Sequence, residues 1–222
     1  MTAIQNLFSK IANIYDPMNR LLTFGADARW RRTSVGMLHA RNRAKILDLA
    51  CGTGDYINEL HRRFPDGEIT GADFTPEMLN IAEKKLSGIP GVELVAADAQ
   101  NLSTFQNASF DIVSCAFGFR NFPDKGAALK EAARVVKSGG ELIVLEFFRP
   151  DAALGTLTGV WLKLAAALFA RKHYSAYRYL SSSIRNMQSK EEFVALAKDV
   201  GFDEVQRKRF FPAASAIIFK RK

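Results

Sequence analysis

Hydrophobic positions along this chain fall into two rhythms. Short runs, Ile46 to Leu49, Glu68 to Ala72, Val92 to Ala96, Ser109 to Ala116 and Glu141 to Glu146, have strand length and are largely apolar. Runs that ignore the in-out alternation read as parallel strands buried on both faces. Stretches with helical spacing separate them, and Thr75-Pro76-Glu77 carries the start signals of one such helix. The alternation predicts an α/β domain, a doubly wound and mostly parallel sheet with helices on both faces. No linker, repeat or shift of composition interrupts the 222 residues, so one domain spans 1–222. Residues up to about 40 form an N-terminal helical cap, and about 151–185 form an insertion. A last strand is expected from Phe211 to Ile217.

The insertion holds the most apolar helix pattern. Leu154, Leu157, Trp161, Leu164 and Leu168 recur on one face, Lys163 interrupts them, and Arg171, Lys172 and His173 close the run. It is too short to span a bilayer comfortably. Such a helix covers either the domain's own core or a lipid-like substrate at a membrane surface.

Candidate chemistry sits where the strands end. KILDLACGTGD, Lys45 to Asp55, is a strand entering a glycine turn and then a helix. That arrangement lets backbone approach a ligand at the carboxyl edge of a sheet. Asp48, Gly52, Thr53 and Gly54 belong to it. A dinucleotide fingerprint would place a third glycine at Ile57, so the turn fits a smaller, cationic nucleoside better than a pyrophosphate. S-adenosylmethionine is such a nucleoside. Asp73, closing the second strand, suits the two hydroxyls of a ribose, or else caps the helix that follows. Asp98, beside Ala99, suits an adenine amino group or a plain turn. Asp48 suits the backbone amides of the glycine turn.

Composition narrows the setting. The formal charge is +8, with Arg29, Arg31, Arg32, Arg41, Arg43 and Lys45 near the first strand and a second basic group at Arg207 to Arg209. By charge alone that fits nucleic acid or an anionic membrane face. A nucleic-acid partner is not expected, because aromatic and basic residues are not interleaved in the insertion. Two cysteines, Cys51 and Cys115, make no disulfide framework and suit a reducing cytosol. Their expected closeness at the ligand edge would make an oxidation-sensitive pair. No metal-ligand spacing occurs, and the N-terminus lacks a secretory pattern.

Several blocks resemble one family. They are Phe8 through Leu22 with its YDPMNRLL, Phe24-Gly25, Trp30-Arg31, DLACGTGD, Phe117 to Asn121 (FGFRN), Arg134 to Pro150, Tyr177 to Arg185 and Gly201-Phe202. Together these resemble the quinone-biosynthesis C-methyltransferases over nearly the whole chain. The resemblance implies a seven-stranded, Rossmann-like class I methyltransferase sheet with an antiparallel last strand. It implies bound S-adenosylmethionine and methylation of a ring carbon of a prenylated quinol, by a cytoplasmic protein at the membrane face that could form a homodimer. Cofactor positions are then Asp48, Gly52, Thr53, Gly54, Asp73, Phe74, Asp98, Ala99 and Ala116, where the family commonly has serine in place of Ala116.

A ring carbon is a poor nucleophile until the neighbouring hydroxyl gives up its proton. The site therefore needs a base or a cation beside the developing phenolate. Arg120 is the first candidate, since it follows the fourth strand and stays charged. Tyr15 and Asp16 are candidates for closing the pocket or relaying the proton. His173 is a further base, or simply an ion at a helix end. A different acceptor, RNA, protein or another small molecule, or a non-catalytic role in a quinone-synthesis assembly, is the alternative.

Overall fold

The computed structural model describes residues 3–149, 174–211 and 214–222. Seven strands are found among them: β1 (Lys45–Leu49), β2 (Glu68–Asp73), β3 (Val92–Ala96), β4 (Phe110–Ala116), β5 (Val136–Phe147), β6 (Phe202–Phe210) and β7 (Ala214–Arg221). They form one sheet in the order β3-β2-β1-β4-β5-β7-β6. The first five are parallel to one another, and β7 runs antiparallel between β5 and β6. The expected architecture, antiparallel last strand included, is the one observed.

Strands apolar on both faces supply both layers. Ile46, Ile69, Ile112, Ile143 and Ile218 share one core with the helices α2 (Ala26–Val35), α3 (Asp55–Arg63) and α4 (Pro76–Leu86). Leu47, Leu49, Val113, Leu142 and Phe219 lie in a second core with α5 (Lys125–Val135) and α7 (Lys190–Asp199). Successive strand residues point to opposite faces, and each face meets a helical layer. Helix α1 (Ala3–Leu22) packs on α4, and α6 (Tyr174–Asn186) packs on the short 3-10 turn Phe119–Asn121.

Three expectations are corrected. The Ser138-Gly139-Gly140 turn lies inside β5 rather than before it. Val136 pairs with Phe110, the register breaks, and the regular ladder resumes at Glu141 opposite Ile112. Gly139, at φ +72°, supplies the left-handed backbone of this bulge. The last strand starts at Ala214, three residues later than expected, and runs on to Arg221. Cys51 and Cys115 are both buried, but in different cores on opposite faces, so the sheet keeps the thiols apart. The apolar run Leu154 to Ala170 and His173 lie outside the described residues.

Candidate active site at the carboxyl edge of the sheet

The carboxyl ends of β1 to β4 border a cavity of about 780 Å³ with its open mouth included. Ala50 and Gly52 enter it from β1, Asp73, Phe74 and Thr75 from β2, Ala97 to Gln100 from β3, and Ala116 to Gly118 from β4. Ile4, Phe8 and Tyr15 of α1 close the side away from the sheet.

The loops are drawn together tightly. Ala50 and Phe117, at the ends of neighbouring strands, both hold left-handed backbones, at φ +52° and +61°. Residues with a side chain adopt that conformation at a cost, and such costs gather at functional sites. A β-carbon on Gly118 would fall 2.8 Å from the Ala50 β-carbon and 2.6 Å from Cys115 Sγ. Only glycine fits there, so the β1 and β4 loops touch across the cavity floor.

Asp73 serves the fold and faces the cavity at once. Its Oδ2 accepts the Gly52 N–H at 2.9 Å and its Oδ1 accepts the Thr75 N–H at 2.8 Å. It therefore ties the glycine turn to Thr75, the residue before α4, without capping that helix, whose N-cap is Thr75 itself, and it also lines the cavity. Burial pushes its carboxyl up, while the Thr75 and Gly52 amides hold it down. Asp98 is exposed on the rim, accepting the Gln100 N–H at 2.9 Å, and Ala99 beside it is buried. Gly52, Phe74 and Ala116 also line the cavity.

Asp48, Thr53, Gly54 and Asp16 lie outside that wall. Asp48 is buried, and its Oδ1 accepts the Ser114 hydroxyl at 2.6 Å while Oδ2 has no partner. The turn amides go elsewhere, Gly52 to Asp73 and Gly54 to the Cys51 carbonyl, so Asp48 does not gather them. Burial raises its carboxyl to about 7. Thr53 donates to Asp16 at 2.6 Å, and Lys85 Nζ donates to Asp16 and Asp55, each at 2.6 Å. Asp16 and Thr53 thus belong to a polar cluster joining α1 to α3 and α4. Gly54 packs beneath Leu86, whose Cδ1 would sit 2.7 Å from an added β-carbon.

The whole chain, residues 1–222, matches the model of the ubiE/COQ5 methyltransferase family. This chain belongs to that family. It is 40% identical to the demethylmenaquinone methyltransferase of Thermotoga maritima, over 96% of this chain and 93% of that one. It is 42% identical to the enzyme of the same name from Thermus thermophilus, over 88% and 91%. With the ubiquinone/menaquinone biosynthesis C-methyltransferase UbiE of Campylobacter jejuni it shares 37%, over 99% and 97%. Among solved structures, a SAM-dependent methyltransferase of Thermotoga maritima superposes with a TM-score of 0.72 at 21% identity, covering 99% of this chain and all of that one. The YcgJ protein of Bacillus subtilis gives 0.65 at 18%, over 87% and 99%. At those identities the likeness is one of fold.

In this ubiE/COQ5 methyltransferase, Arg120 is a buried ion-pair partner rather than a cavity-lining side chain. Its Nη1 donates to Glu146 Oε1 at 3.0 Å and to the Phe117 carbonyl, while its backbone N–H donates to Glu146 Oε2 at 3.1 Å. Arg120 Nε is buried without a partner. The guanidinium borders a smaller cleft on the far side of Phe117, with Leu22, Arg31 and Phe147, and Phe117 walls both spaces. Tyr15 and Tyr179 are near enough to act on it electrostatically. The Tyr179 hydroxyl donates to Asn121 Oδ1 at 3.0 Å, and Asn121 lines the main cavity.

Glu146, Lys85, Asn121 and Tyr179 received no role from the sequence. Glu146 had a readable signal: a carboxylate ending the apolar run ELIVLE must find a buried partner. Lys85 had none, since its partner Asp16 is 69 positions away. Among the described residues no group of three or more His, Cys, Asp or Glu is placed to hold a metal ion. No helix among them is long and apolar enough to cross a membrane.

Proposed function

We propose that this methyltransferase uses S-adenosylmethionine to methylate a ring carbon of a reduced prenylated quinone, the substrate class its curated relatives are named for. One observation carries the reading: a single cavity sets buried Asp73 and rim Asp98 against an apolar wall of Ile4, Phe8, Met78 and Phe122. A polar nucleoside and a greasy acceptor can share such a space.

The residues present fit the donor. Asp73 would take the ribose hydroxyls, Asp98 and Ala99 the adenine, and the bare backbone at Gly52 the amino-acid end. When bound, S-adenosylmethionine supplies an electrophilic methyl group. The protein's share is alignment and exclusion of water, and alignment of two bound partners is worth about 7–11 kcal/mol. Tyr15, in the cavity wall, orients the acceptor hydroxyl. Arg120, paired with Glu146 on the far side of Phe117, acts on a developing phenolate only through the field of that ion pair across the ring. A prenylated acceptor places the enzyme against a membrane face.

Incubation with labelled methyl donor and a panel of reduced short-chain demethylquinones tests the reading. The expected product gains one methyl on a ring carbon. Folded protein that binds the donor and methylates none of the panel would refute it.

A further inference from the structure

We infer that the corner between α1 and α2 seats this enzyme on an anionic lipid surface. The inference deepens the reading of a prenylated acceptor and depends on it for its purpose, though its observations are separate.

Leu21 and Phe24 stand at this corner, 47% and 69% exposed. Single exposed apolar residues are ordinary on their own. Phe24 is different because its backbone is also held in the left-handed region, at φ +52°. The Gly25 N–H donates to the Arg20 carbonyl and the Phe24 N–H to the Leu21 carbonyl. This is the double closure that ends a helix, and Phe24 occupies the position where glycine is commonest. Backbone strain and a phenyl ring in water fall on the same residue, and neither helps the packing. An interfacial anchor needs an apolar ring presented outwards in this way.

Charge beside the anchor matches an anionic surface. A cleft flanking the corner is lined by Arg20, Arg31, Arg32 and Arg62. Its two acids are committed: Glu59 bridges Arg32 and Arg62, and Asp55 pairs with Lys85. Arg20 has no ion pair or hydrogen bond from its side chain among the described residues. The Arg32 and Arg62 side chains are 70% and 62% exposed. Apolar anchors rimmed by arginines fit acyl chains under phosphate headgroups, and the formal charge of +8 acts in the same direction.

The corner also leads to the site. About 9 Å of helix separates Leu21 from cavity-lining Tyr15. The smaller cleft begins at Asn19 and Leu22 and ends at Phe117 and Arg120. An acceptor leaving the lipid here would arrive at the wall that both spaces share.

Co-sedimentation with vesicles of phosphatidylglycerol and phosphatidylcholine, against phosphatidylcholine alone, tests the corner. The enzyme should pellet with the anionic vesicles and largely release in about 0.5 M salt. Leu21→Ser with Phe24→Ser, and separately Arg20→Glu, should each weaken partitioning about tenfold. Both variants should keep the parent's turnover on a short-chain quinol in detergent. Phe24→Gly removes the ring while relieving the backbone, so weaker binding by this equally stable variant excludes unfolding as the cause. Equal partitioning of parent and variants, or no preference for anionic vesicles, would overturn the inference. So would a dimer in sedimentation velocity that these variants dissociate, because the corner would then serve a second copy. Inactivity on every quinol with variant-sensitive vesicle binding would sink the proposed reaction and leave the docking corner standing.

Discussion

Ile57 of α3 fills the hollow that Gly71 leaves in the face of β2. A β-carbon at position 71 would fall 2.5 Å from Ile57 Cδ1. The bulk that sets this turn apart from a dinucleotide fingerprint is therefore accommodated one strand away. Gly71→Ala is expected to destabilise by about 1–3 kcal/mol through overpacking. Adding Ile57→Val should recover part of that loss. Urea melts of both single variants and the double variant measure the coupling; strictly additive losses would show that the two positions do not compete for space.

Arg120→Ala alone would leave Glu146 charged and buried, which costs about 3–5 kcal/mol. A fall in turnover would then mix chemistry with folding. Arg120→Met combined with Glu146→Gln removes both charges, and that protein should melt close to the parent. Donor affinity should stay within a few-fold while turnover drops by about tenfold or more. Full turnover in the folded double variant would take Arg120 out of the reaction.

Burial lifts the Asp48 carboxyl from 3.8 to about 7, against the Ser114 hydrogen bond and the charge of Arg31. The folded chain then holds a proton that the unfolded chain has already released. Between about pH 4 and 7, rising pH works against the fold by about 1.4 kcal/mol per pH unit from this group. Its stabilising effect is complete at the acid end of that window and gone at the neutral end. Asp48→Asn should therefore gain on the parent as pH rises from about 5 to 7. Denaturant midpoints at several pH values check this; a constant gap would mean Asp48 does not titrate there.

Asp16 was expected in the chemistry, yet it is bonded to Lys85 and Thr53. Gln5 and Ser9 fasten the same helix to the Phe74 carbonyl and to Glu77, each at 2.7 Å. Asp16→Ala should loosen α1, speed its amide exchange and raise the donor KM several-fold with little change in kcat. A loss confined to kcat would return Asp16 to a chemical role.

Strand positions were legible because apolar runs such as Ile46 to Leu49 report burial directly, and the glycine turn at Gly52 marks the ligand edge. Side-chain direction at that edge was not. Asp73 and Thr53 look alike in a motif, but Asp73 faces the cavity while Lys85 and Asp16 draw Thr53 outside it. Asp48 was misread because its partner, Ser114, comes from a neighbouring strand rather than from the turn. Contacts between segments far apart in the chain decide such matters, and no local pattern records them.

The insertion of β7 between β5 and β6 has a consequence for biosynthesis. β5 is finished long before β7 is made, so its outer edge waits unpaired until β7 arrives. The nascent molecule is most vulnerable to sticking to its neighbours in that interval, and the late arrival of Ala214 to Phe219, buried throughout, closes it.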